Sequence, residues 1–279
     1  MHAPASRTRI PSLFVAAALL LAPSARSEAP ASRGPGPVVA VGGGPLAPAV
    51  YAHMLRLAGG KNARVVVFPQ ASKRADGSID IGHWTEGGAK NVRAFVNLRA
   101  QRRAVLKALQ KADIIWFGGG AQLRLMKALK GAKLVEAILA RHRQGALVAG
   151  TSAGAAVLSE VMLSGKVKRP LRPGKQVTYR GLGLWPEVIV DQHFVVRKRF
   201  GRLFTAVLDH PSRVGLGIGE SAAVLWRSHT GQLEVISNGI VVVVDARSAT
   251  IRPKRSFQQA TGVTVHTLTR GDRWALRTR

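Results

Sequence analysis

Four times in its first 160 residues the chain runs a short, almost unbroken apolar stretch into a glycine-rich or polar turn and then into helix-forming residues. The units are PVVAV (Pro37 to Val41) before Gly42, Gly43 and Gly44, ARVVVFP (Ala63 to Pro69) before QASKRADGS, DIIWF (Asp113 to Phe117) before GGGAQ, and ALVAG (Ala146 to Gly150) before TSAGAAVLS. Strands this uniformly apolar bury both faces, so the pattern implies a mostly parallel sheet with helices on both sides. In such a sheet functional groups gather where strands end and loops begin. Residues 75–92, which hold DGSIDIGHWTEGG, read as a surface loop. After about residue 215 the stretches shorten to GLGI, AAVLW, LEVIS and GIVVVVD, joined by turns, which predicts an antiparallel extension. A single α/β domain over residues 38–265 follows from this pass, with a basic tail at 266–279 expected to fray.

The N-terminus carries a different signal. Arg7 and Arg9 precede the apolar run Leu13 to Leu21, and Ala-Pro-Ser-Ala-Arg-Ser follows. The run is short for a bilayer span, and Ala25 with Ser27 fits the small-x-small rule of a secretory signal peptide over residues 1–27, cut after Ser27. Residues 28–37, EAPASRGPGP, form an expected disordered lead-in. A secreted or periplasmic protein with no remaining membrane span is the expectation. The chain has no cysteine, so disulfides, thiol catalysis and cysteine metal sites are excluded.

Lys and Arg number 42 against 14 Asp and Glu, a formal charge of +28 that favours an anionic partner. The basic residues are scattered, however, with no block denser than Lys166 to Arg172 or Arg197 to Arg202, and no nucleic-acid motif accompanies them, so no nucleic acid is expected as a partner.

The most informative turn is AGTSAGA. Gly150, Ser152 and Gly154 fill the Gly-x-Ser-x-Gly pattern of a nucleophile elbow, in which small neighbours permit a strained strand-to-helix turn. Alone, the same residues also suit a phosphate-binding turn or a plain helix cap. As an elbow, the turn places the Ala153 amide toward an oxyanion, helped by the helix dipole, and the glycines at Gly118 to Gly120, Gly119 and Gly120 above all, end a neighbouring strand where a second donor is needed. A serine needs a base. Of eight histidines, His193 differs in ending the apolar run EVIVDQHF, which delivers it to the rim of a sheet. Two acids compete to orient it: Glu220, between glycine-flanked apolar strands, and Asp191, two residues before His193 and on the same side of an extended strand.

From Val38 to about Asp245 the chain resembles the cyanophycinase and peptidase E group of serine peptidases, peptidase family S51. The resemblance rests on VGGG, FGGGAQLRL, AGTSAGA, GLGL before VIVDQHF, RKRFGRL and GIGESAAVL, in order and at family-like spacing. It implies a flavodoxin-like, class I glutamine amidotransferase-like fold, a homodimer, and Ser152 as nucleophile, His193 as base and Glu220 as its carboxylate partner, with no metal or organic cofactor.

DQHF followed by Arg197, Arg199 and Arg202 favours the cyanophycinase branch. That branch implies cyanophycin as substrate, a polyaspartate carrying arginine on its side-chain carboxylates, cut to β-Asp-Arg dipeptides. Exposed carboxylates on such a substrate suit arginine forks, so Arg197, Arg199 and Arg202, together with Gln122 and Asp191, are the expected substrate-side residues. One departure stands out: the family's Gly-Gly-Asp-Gln is here Gly119, Gly120, Ala121, Gln122. The alternatives are an aspartyl or isoaspartyl dipeptidase of the same family, or an inactive basic periplasmic binding protein with the same fold.

Overall fold

The computed structural model describes residues 34–164, 171–174, 176–253 and 257–276; the expected signal peptide lies outside them. In chain order the elements are β1 (Val38–Val41), α1 (Pro48–Leu57), β2 (Arg64–Phe68), α2 (Ser78–Glu86), β3 (Asn91–Ala94), α3 (Arg102–Lys111), β4 (Ile114–Phe117), α4 (Gln122–Gly131), α5 (Val135–Arg143), β5 (Leu147–Thr151), α6 (Ala153–Ala156), β6 (Val161–Leu163) and β7 (Thr178–Arg180). There follow β8 (Val188–Gln192), α7 (Phe200–Asp209), β9 (Val214–Ile218), β10 (Ala223–Arg227), β11 (Gln232–Val235), β12 (Val241–Asp245), β13 (Thr250–Pro253), β14 (Gln258–Thr261), β15 (Thr264–Leu268) and β16 (Arg273–Ala275).

The main sheet has eight strands in the order β16-β11-β10-β1-β5-β4-β2-β3. Its five strands from β1 to β3 are parallel, as their apolar composition requires, and β10, β11 and β16 extend it antiparallel. Alternate residues of each parallel strand enter different cores. Val38 and Ala40, Val66 and Phe68, and Ile115 and Phe117 face one core with α3, α4 and α5, whereas Val39 and Val41, Val65 and Val67, and Ile114 and Trp116 face the other with α1. A second sheet, β15-β12-β9-β8, packs its inner residues Val190, Leu216 and Val243 into the first of these cores, and covers its outer face with Leu203, Ala206 and Val207 of α7. Within it β8 and β9 run parallel, so two further strand ends join those of β1, β4 and β5 as sources of loop residues.

Three sequence readings change. DGSIDIGHWTEGG is α2 rather than a loop, and its Trp84 is fully buried, edge-on to Tyr51 and Trp116 with ring centroids 5.1 and 5.5 Å apart. Only that one residue of α2 is buried, so no helical apolar period existed to be read. At the end of the expected lead-in, the Gly36 amide donates to His142 O at 2.9 Å and Pro37 O accepts from Val148, which ties the chain to β5. The expected basic tail contains the last residues of β15 and all of β16, each hydrogen-bonded into a different sheet.

These last strands are structural. Leu268 and Leu276 are buried, and Trp274 packs against the core. Ending the chain after Val263 removes their packing, about 5 kcal/mol or more. The melting temperature of the truncated protein should fall by about 10–20 °C. A thermal melt that matches the full chain would show that β15 and β16 contribute nothing to the core.

Candidate active site

Ser152 lies directly after β5 with φ +53° and ψ −111°, a backbone region that L side chains rarely adopt. The glycines on either side explain how. A Cβ on Gly150 would come 2.3 Å from Gly154 O, and one on Gly154 would come 2.0 Å from Phe117 O, so the turn closes on itself and on the end of β4. The Ser152 amide donates to Val41 O at 2.9 Å, continuing the β1–β5 pairing past the strands. The helix that follows is a single turn, so the Ala153 amide acts as a local donor without the accumulated dipole of a long helix.

His193 follows β8 and Glu220 follows β9. The expectation that Asp191 and His193 share one face of a strand does not hold, because β8 ends at Gln192 and His193 is left-handed at φ +48°. Asp191 turns into the interior while the imidazole turns toward the loop after β1. That loop is the part sequence reasoning left without a role. The His193 amide donates to Gly42 O at 2.7 Å, and the amide of Ser221, itself at φ +60°, donates to Gly43 O at 2.8 Å. A Cβ on Gly43 would stand 2.4 Å from His193 Cε1, and one on Gly44 would stand 3.0 Å from Glu220 Cβ. The signal was present as three consecutive glycines after the first strand.

These turns bring the three side chains into one chain of hydrogen bonds. Ser152 Oγ lies 2.8 Å from His193 Nε2, and His193 Nδ1 lies 2.6 Å from Glu220 Oε1. A carboxylate only accepts, so Nδ1 donates to Glu220 and Nε2 is left to accept the serine hydroxyl hydrogen. Gly119 lies beside Ser152, its position for a Cβ 3.6 Å from the serine Cβ. Gly120 answers a different need: at φ +138° it passes Ala71, where a Cβ would stand 2.1 Å from the carbonyl oxygen. Among the described residues neither the Gly119 nor the Ala153 amide has an internal acceptor. Asp80, from the misread α2, accepts from Trp116 Nε1 at 2.8 Å and lies against Gly118, bracing this loop from below; burial pushes its carboxyl above the usual range.

The substrate-side candidates separate by burial. Asp191 has no exposed surface and accepts from Arg202 Nε at 2.7 Å and from Arg202 Nη2, while Arg202 also donates to Ser164 O at 3.2 Å. Groups so enclosed are support for the site wall, which differs from the direct substrate contact expected of them. Burial pushes the Asp191 carboxyl up, and the Arg202 guanidinium opposes it. Arg199 is half-way: it donates to Gln192 O at 2.6 Å, to Gln192 Oε1 and to Asp191, and burial, with Arg202 beside it, brings its guanidinium down to about 10, still cationic at neutral pH. Arg197 is exposed. Gln122, the first residue of α4, is buried and donates through Nε2 to Leu163 O at 2.9 Å. Ala121 occupies the N-cap of α4, which has no side-chain cap. Among the described residues no cluster of His, Asp and Glu is arranged to hold a metal ion.

This division predicts opposite outcomes for neighbouring arginines. Arg202→Ala strands a buried carboxylate and should cost about 3–5 kcal/mol of stability, whereas Arg197→Ala should change it by about 0.5 kcal/mol or less. Urea denaturation measures both, and equal midpoints for the two variants would dismiss the buried pair as a support.

Comparison with known proteins gives the family and the fold. Residues 39–234 match the model of peptidase family S51. Cyanophycinase from Trichormus variabilis is 36% identical over 220 residues, covering 76% of this chain and 73% of its own length. Cyanophycinase from Geminocystis herdmanii is 34% identical over 234 residues, covering 79% of this chain and 85% of its own. The fold is shared with the crystal structure of a peptidase from an acI-B1 actinobacterium, at a TM-score of 0.66 and 21% identity over 88% of this chain and 98% of that one. The chain belongs to peptidase family S51 and is a serine-type peptidase.

Proposed function

We propose that this peptidase hydrolyses cyanophycin to β-Asp-Arg dipeptides, that it acts through Ser152, His193 and Glu220, and that it does so after export as a homodimer. The observation that carries the reading is the continuous hydrogen-bonded path from Ser152 Oγ through the His193 ring to Glu220 Oε1, at 2.8 and 2.6 Å. The curated relatives named cyanophycinase support the substrate. The N-terminal apolar run and its small-residue cleavage pattern support export.

In this mechanism Ser152 Oγ attacks the peptide carbonyl carbon as its proton passes to His193 Nε2. Glu220 fixes the tautomer and stabilises the imidazolium that forms. The carbonyl oxygen takes up the negative charge and is met by the Ala153 and Gly119 amides. His193 then returns the proton to the leaving amine as the carbon–nitrogen bond breaks, leaving an ester on Ser152. A water molecule gives its proton to His193, attacks the ester carbon, and releases the acid and the free serine. Arg197 and Arg199 receive substrate carboxylates, with Asp191 and Arg202 holding Gln192 and Arg199 from behind. Gln122 completes the wall from the α4 side.

Three variants and one product assay test the reading. Ser152→Ala should lower turnover by several orders of magnitude, and near-normal hydrolysis would remove the serine from the mechanism. Gly43→Ala should cost at least about a hundredfold in kcat, because a methyl group there displaces the imidazole on which the chemistry depends. Unchanged kcat would mean that the ring position is not decisive. Arg197→Ala, harmless to the fold, should weaken kcat/KM on a short β-Asp-Arg oligomer by about tenfold or more. Mass spectrometry of the products from cyanophycin should give the β-Asp-Arg dipeptide; cleavage of α-aspartyl dipeptides with the polymer left intact would assign the aspartyl dipeptidase activity instead.

A further inference from the structure

Ser221, the residue after Glu220, also lines a half-open cavity of about 370 Å³ that the peptidase chemistry does not use. Val50 and Ile236 supply its apolar wall, and Ser221, Ser237 and Asn238 its polar edge. Its charged lining is one-sided: His53, Arg56 and Arg270 belong to it, and no carboxylate does. Among the described residues neither Arg56 nor Arg270 is in an ion pair. The neighbouring acids are already engaged, Glu234 by Arg227 at 3.4 Å and Arg273 at 3.5 Å, and Asp272 by Thr269 at 2.8 Å.

Arg270 is exposed but not loosely carried. It sits in the turn between β15 and β16, where Gly271 donates to Val235 O at 2.9 Å and Val235 donates to Asp272 O at 3.0 Å. Arg56 approaches His53 Nδ1 at 3.4 Å; a guanidinium only donates, so Nδ1 accepts and the ring hydrogen belongs on Nε2. That Nε2 is buried without a hydrogen-bond partner, so within the residue that lines the cavity this donor is covered and unmatched. Burial, with Arg56 beside it, holds His53 below its usual range, so it is a neutral donor at neutral pH.

We propose that this cavity is a second binding site, separate from Ser152, for a small anion that bears a carboxylate or phosphate. The two guanidinium groups receive the anionic group, and the apolar wall leaves room for a short hydrocarbon body. A ligand carrying its own guanidinium is disfavoured by the two guanidinium groups, Arg56 and Arg270, so the site is not an extension of an arginine-bearing substrate's path. The inference rests on this cavity alone and stands whether or not the proposed substrate is correct.

Isothermal titration of inorganic phosphate and, separately, succinate into the full chain at low salt tests it. At least one anion should bind with a stoichiometry of one, and which of them binds separates a free phosphate from a carboxylate with a hydrocarbon body. Arg56→Gln and Arg270→Gln should each weaken that binding by about tenfold. Arg103→Gln, an exposed arginine on α3 at the opposite core, should leave it unchanged. Argininamide, a cation of similar size, should not bind. Hydrogen exchange with the bound anion should slow at residues 44–56 and 235–238. No one-site binding by either anion, equal weakening by Arg103→Gln, or protection confined to residues 118–122 and 197–199 would overturn the proposal.

Discussion

Everything at the site depends on how closely the turn after β1 can be approached. Gly42, Gly43 and Gly44 carry no side chains, and into the space so left come the Gly219 carbonyl, the His193 ring and the Glu220 side chain. The same turn donates through Gly42 to Ala222 O at 3.0 Å and accepts from His193 and Ser221, while Val41 accepts from Ser152. One short segment therefore joins the ends of β5, β8 and β9, which come from two different sheets. Without that junction the serine would belong to one sheet and the histidine and glutamate to another, each free to shift with its own packing. A contact of 2.8 Å between them requires tighter positioning than loops alone supply.

The junction is built from strained backbone. Ser152, His193 and Ser221 all have positive φ, one in each of the three segments that bring the serine, histidine and glutamate together. Such conformations cost about 1–3 kcal/mol apiece for residues other than glycine. They are held by their surroundings: each of the three amides makes a backbone hydrogen bond to the β1 end, and the strands beneath are buried but for Thr151 at the end of β5. In return, Ser152 and His193 leave their strands abruptly with their side chains turned out of the sheet, and Ser221 fixes the backbone just behind Glu220. Extended backbone at His193 would have placed the imidazole on the face occupied by Asp191, in the interior.

That difference also marks how far the sequence could be read. Apolar runs and glycine turns specify the parallel sheet because both are local consequences of burial and backbone sterics, and the Gly-x-Ser-x-Gly turn is legible for the same reason. Glu220 could be preferred to Asp191 only weakly from its neighbours, since the decisive fact is the conformation of one residue, His193, which no periodicity encodes. The helix at Ser78–Glu86 was hidden by having a single buried residue, Trp84. The C-terminal strands were hidden because Arg270, Arg273, Arg277 and Arg279 made the segment read as a basic tail, and because β15 leaves four of its five residues exposed and joins the fold through its backbone. Which of the arginines are enclosed is likewise a tertiary property, because Arg199 and Arg202 stand one helical turn apart and differ only in what covers them.

The enclosed pair has a further consequence for the wall beside the histidine. Asp191 is the fourth residue of β8, in register with Gly217 of β9, so its carboxylate is fixed by the sheet. Arg202 reaches it from α7 and also approaches Gln192 Oε1 at 3.3 Å, while Arg199, the residue before the helix, holds the Gln192 carbonyl at 2.6 Å. Gln192 is thus gripped on both its main chain and its side chain, one residue before His193. A buried ion pair contributes little net stability compared with an apolar pair of the same shape, because desolvation consumes most of the attraction. Its value here is directional: two guanidinium forks with fixed geometry set where α7 begins and where β8 ends. An apolar replacement would fill the same volume without specifying either, and the residue that would lose its position first is His193.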